Sequence, residues 1–130
     1  MEQTLLQIVS QITSGERRRD YGRPLANHLR IALNWSLFLQ TAITPDKVVW
    51  MMIGLKQARE INTSKYDNLV DTAGYAVCLD DMYQQLVDMK WAGNKEQAIN
   101  VMQNLTVPDI WDLLEEVNKL ERNQSVGETT

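Results

Sequence analysis

The sequence is short of the residues that staple small folds and hold metals. A single cysteine, Cys78, excludes an internal disulfide and a cysteine-built structural zinc site. A single histidine, His28, excludes a histidine metal cluster. With three prolines and six glycines in 130 residues, little interrupts helical periodicity. Neither a GxxxxGK phosphate loop nor a GxGxxG turn occurs. No apolar run reaches a membrane span, since Asn34, Lys47 and Lys56 break the longest ones. The opening segment MEQTLLQIVSQ carries Glu2 and lacks the basic start and cleavage pattern of a signal peptide. These absences point to a reduced, cytoplasmic setting with no membrane partner.

What remains is the composition of one globular domain, 44% hydrophobic and 23% charged. The net charge of −4 is unevenly spread: residues 1–65 balance at +4 and the remainder at −8. A mildly basic half suits a small anionic ligand, whereas the acidic remainder disfavours duplex nucleic acid.

Periodicity near 3.6 dominates, so the fold class is all-α: a helical bundle with a central antiparallel helix hairpin plus two shorter C-terminal helices. A first helix is expected over 2–13, with Leu5, Ile8, Val9 and Ile12 on one face, and a second over 24–41, opened by Pro24. Thr44, Pro45 and Asp46 form the clearest helix start, leading into a helix over 44–61. Asn62, Thr63 and Ser64 make a short connection, and a long helix follows over 65–90, stopped at Gly93. Helices over 94–104 and 107–121 complete a single domain, 1–121, with residues 122–130 as a disordered tail.

Residues equidistant from the hairpin turn lie at similar heights. Centring on Thr63 places Arg59 level with Asp67 and Lys56 level with Asp71, each pair on one helix face. Gly54 falls near Thr72, Ala73 and Gly74, small residues that would let the two backbones approach closely. The four charges are either salt bridges that register the hairpin or the walls of a ligand site; a charge in an apolar helix needs a partner in both cases. Further polar groups stand near: Arg17, Arg18, Arg19, Tyr21 and Arg23 in a loop suited to clamping phosphate, Asn27, His28 and Arg30 on the second helix, and Asn68 and Tyr75 along the fourth. His28 alone reads as a hydrogen-bonded or surface residue, Cys78 as an inert core thiol, and Trp50, Trp91 and Trp111 as core or subunit contacts. Glu115 and Glu116 read as part of a solvated face.

The segments GERRRDYGRPLAN, DKVVWMMIGLKQAR and DNLVDTAGYA resemble an uncharacterised phage and prophage family, domain of unknown function 6378, over about residues 13–80. The positions carrying the resemblance are Arg17, Tyr21, Gly22, Pro24, Asn27, Lys56, Ala58, Arg59, Asp67, Asn68, Asp71, Ala73, Gly74, Tyr75 and Ala76. That family looks like a remote relative of the MazG-like all-α nucleoside triphosphate pyrophosphatases, which hold magnesium with an ExxE and an ExxD. Here Lys56-x-x-Arg59 stands in place of the first motif and Asn68-x-x-Asp71 in place of the second. Two cations repel a metal and offer no oxygen ligand, so the motif does not support magnesium. The resemblance implies a nucleotide-binding or nucleotide-processing protein that forms a homo-oligomer. Lys56, Arg59 and Arg17 would hold phosphates, and Asp67, Asn68, Asn27, Tyr21 and Tyr75 would complete the site. Asp71 is the candidate base should the chain be a nucleoside phosphate hydrolase. The competing expectation is a non-enzymatic protein that binds a host protein, the charged cluster being a latch.

Overall fold

In the computed structural model, residues 2–14 and 23–129 are described, the side chains of 124–129 excepted. These residues form six helices and no strand: α1 (Leu5–Thr13), α2 (Pro24–Leu39), α3 (Pro45–Asn62), α4 (Tyr66–Asp88), α5 (Lys95–Gln103) and α6 (Val107–Thr129). The domain is an all-α bundle, and no described helix is long and apolar enough to cross a membrane.

Local capping sets the boundaries. A capping box starts α1 later than its apolar pattern suggests: the Gln7 amide donates to Thr4 Oγ1 (3.2 Å) and the Thr4 amide to Gln7 Oε1 (2.8 Å). Gln40 ends α2 in the left-handed conformation (φ 56°), and Gln40 and Thr41 both donate their amides to the Ser36 carbonyl. Likewise α4 closes before Gly93, because Lys90 turns left-handed (φ 65°) and the Trp91 amide returns to the Leu86 carbonyl at 2.9 Å. The last helix continues as backbone to Thr129, past the end expected at 121 into the segment read as a tail. No proline stands there to stop it.

The hairpin α3–α4 is central. Helix α1 lies along α4, α2 packs on α3, α4 and α6, and α5 packs on α4 and α3. Leu25, Leu29, Val48, Met82, Met102 and Leu113 are fully enclosed where these helices meet. Burying each such side chain contributes about 1.5–3 kcal/mol of transfer free energy. Polar ties fix the angles: Arg23 meets Asp81 at 2.8 Å, and the Leu25 amide donates to the buried Gln85 Oε1 at 3.2 Å. Ser36 Oγ accepts the Ile43 amide at 2.8 Å across the α2–α3 connection.

At the start of α3 the buried Asp46 accepts the Lys47 amide (2.9 Å) and the Thr44 hydroxyl. Thr44 therefore caps the helix by position but makes no side-chain cap bond of its own. Burial, reinforced by the Asp46 charge, pushes the neighbouring Tyr83 hydroxyl up to about 12, so it stays protonated.

Candidate functional site

Two spaces meet at the α3–α4 hairpin. The first is a largely apolar cavity of about 350 Å³ bounded by α1, α2, α3 and α4. Val9 and Ile12 come from α1, and Ile31 and Trp35 from α2. Val48 and Met52 come from α3, and Val70, Gly74, Tyr75 and Cys78 from α4. Its polar groups are Thr13, Asn27, His28, Lys56, Asp71 and Tyr75. The second space is a polar groove of about 520 Å³ along the hairpin turn, lined by Lys56, Arg59, Asn62, Lys65, Asp67, Asn68 and Asp71 among others. Lys56 and Asp71 line both.

Those two residues form an ion pair, Lys56 Nζ to Asp71 Oδ2 at 2.8 Å, with side-chain exposures of 15% and 35%. The facing partners expected at this level are found. The pair expected one turn nearer the loop is not: Arg59 and Asp67 are both exposed, and no ion pair joins them. Glu60 takes over that level. Its Oε1 accepts the Lys65 amide (3.0 Å) and Asn68 Nδ2 (3.1 Å), while Asn68 Nδ2 also reaches the Thr63 carbonyl (3.4 Å). Hydrogen bonds from Ser64, Asn68 and Lys65 hold the Glu60 carboxyl below its ordinary value. A carboxylate at the N-terminus of α4 also complements the helix dipole. Arg59 and Asp67 thus remain turned toward the groove rather than toward each other.

The glycines are not what brings the two helices together. A methyl group built on Gly54 or Gly74 would meet nothing within 4 Å, so neither is needed for α3 and α4 to approach. Gly74 borders the cavity and Gly54 lies on the exposed side of α3.

Of the candidate residues, Asn27, Lys56, Asp71 and Tyr75 border the cavity, and Lys56, Arg59, Asp67, Asn68 and Asp71 border the groove. Arg17 and Tyr21, with Arg18, Arg19 and Gly22, lie outside the described residues. Arg23 is engaged by Asp81, and Arg30 donates to Asn118 at 3.2 Å on the α6 side. Cys78 is partly buried and borders the cavity. Trp91 packs against the core and donates to Glu116 at 2.9 Å, whereas Trp50 and Trp111 are more than half exposed.

His28 gains a role that its isolation in the sequence hides. It is only 8% exposed, and its Nδ1 lies 2.7 Å from the Pro24 carbonyl. A carbonyl can only accept, so Nδ1 carries the hydrogen and the neutral ring keeps a bare lone pair on Nε2. Desolvation lowers the His28 pKa against the opposing effect of that hydrogen bond. The signal was available in the spacing, because Pro24, Asn27, His28, Ile31 and Trp35 recur along one helical face.

The donor chemistry does not fit magnesium. An ammonium sits on Asp71, and among the described residues no group of three or more His, Cys, Asp and Glu side chains could hold a metal ion.

The fold and these two spaces define an all-α domain with an amphipathic cleft on a helix hairpin. The chain matches the family described as Domain of unknown function (DUF6378) over residues 4–83, and it belongs to that family. It is also 35% identical over 89 residues to the Gene 55 protein of Mycobacterium phage D29. That match covers 68% of this chain and 59% of the relative. No solved structure matches it significantly.

Proposed function

We propose that the chain binds a small anionic ligand of the nucleotide class at the α3–α4 hairpin. One observation supports this above the others: the Lys56–Asp71 ion pair stands where an apolar cavity opens onto a polar, cation-bearing groove. The cavity has the size of a small-molecule site. Trp35 and Tyr75 in its wall suit a planar ring, and His28 Nε2 offers that ring an acceptor. In the groove Lys56, Arg59 and Lys65 offer cations to phosphate. Asp71, paired with Lys56 at the junction of cavity and groove, is the carboxylate placed to act as base for any hydrolysis of the bound ligand. The phage origin of a relative supports the host cytoplasm as the setting for such a protein.

A thermal-shift screen of nucleoside mono-, di- and triphosphates, with and without magnesium, tests the reading. We expect a rise of several degrees with at least one nucleotide, independent of magnesium. Lys56→Ala and Asp71→Ala should fold and lose the response. Stabilisation by none of these ligands overturns the reading. Variants that lose fold stability beside an unresponsive parent support the latch, and with it a non-enzymatic protein that binds a host protein.

A further inference from the structure

One core runs through α2–α6, and Ala26, Val49, Leu79, Ala98 and Ile110 represent each helix in turn. No described side chain of α1 takes part in it, even at its edge. The backbone of α1 lies against α4 and no other described helix. Its one enclosed residue, Val9, is buried apart from that core, as is Val70 of α4. Its side-chain hydrogen bonds turn back on the helix itself, Thr4 with Gln7 and Thr13 onto the Val9 carbonyl at 2.8 Å. Helix α2, by contrast, is tied to α4 through Arg23–Asp81 and through the Leu25 amide. Yet α1 walls the cavity: Val9, Ile12 and Thr13 line it together with α2, α3 and α4.

We propose that α1 is the lid of this cavity, opening from α4 while α2–α6 stay folded and so admitting a small molecule. The purpose of the lid rests on the proposed function, which puts a ligand in the cavity; the opening itself does not. A helix of nine residues is too short to persist alone in water, so α1 melts once it leaves α4. What holds it closed is a small apolar contact separate from the main core. Elements held in this way open locally before the rest of a domain unfolds, and the lids of ligand sites belong to that class.

The capping box sets the balance. Thr4 and Gln7 satisfy each other's amides only while α1 is helical, so the box favours the closed lid. Thr4 is exposed and lies off the cavity wall, which lets a substitution there shift the lid without touching a ligand.

Hydrogen exchange read by mass spectrometry on the full 130-residue chain, with no ligand, tests the opening. Peptides from α1 should exchange about a hundredfold faster than those of α4 around the enclosed Met82, yet slower than an unstructured chain. Thr4→Ala should speed the exchange of α1 about fivefold and leave α4 around Met82 unchanged. Cys78 gives a second readout, because it borders the same cavity. Its labelling by a bulky maleimide should quicken in Thr4→Ala by the same factor as the exchange of α1. Exchange of α1 in step with α4 overturns the proposal, since α1 then unfolds only with the core. An α1 without protection overturns it too, since nothing then closes the cavity, and so does labelling of Cys78 that ignores Thr4→Ala. Failure of every nucleotide in the thermal-shift screen removes the proposed function, while these ligand-free rates decide the lid.

Discussion

Lys56 and Asp71 meet at 2.8 Å across the hairpin, the lysine side chain largely covered and the aspartate about a third open. The contact lies at the junction of the cavity and the groove, and it also sets the height of α3 against α4. The pair can therefore serve as both latch and ligand contact, and the two roles separate by experiment.

A double-mutant cycle with Lys56→Met and Asp71→Asn, followed by urea unfolding, should give a coupling of about 1 kcal/mol, the scale of a partly exposed pair. A coupling near zero would remove the registering role. A coupling several times larger would make the latch the main function of the pair.

Gly74→Ala separates the site from the scaffold. The new methyl group enters open space in the cavity wall, so the helix should gain about 0.5–1 kcal/mol. The same methyl group narrows the cavity and should weaken any nucleotide response in the thermal-shift screen. A stabilised variant with an undiminished response would place the ligand elsewhere.

Glu60→Gln tests the cap of α4 by pH. The Glu60 carboxyl lies below its ordinary 4.5 in the folded chain, so the charged form contributes stability that is complete above that value and fades as pH falls through the lowered one. The parent should exceed the variant in urea midpoint near neutrality, and the gap should close in acid. A gap that is the same at every pH would mean that the carboxylate charge does not hold the turn.

His28 is the chain's one histidine, so its ring signals in an NMR titration need no assignment among rivals. Its pKa should fall below the ordinary 6.5, with Nδ1 as the protonated nitrogen of the neutral ring. Because the folded value is lowered, the unfolded chain binds the proton first, and stability declines as pH drops below 6.5. A pKa at or above 6.5 would contradict the buried, neutral ring.

The sequence by itself determined the helices, the hairpin and the level of Lys56 with Asp71. These follow from apolar period, turn residues and the fixed rise of a helix, all of which are local. Periodicity and the matching motifs also picked out Asn27, Arg59, Asp67, Asn68 and Tyr75, which the structure places around the cavity or the groove. Only the tertiary structure decided how the polar groups are shared. Spacing ranks Arg59 and Asp67 as partners because opposite charges stand at one height, but it cannot weigh them against Glu60, whose carboxylate finds backbone and amide donors at the turn. Nor can it tell which of the apolar residues of α3 are covered. Val49 is enclosed and its neighbour Trp50 is open, and that difference depends on where α2, α4 and α5 settle around α3.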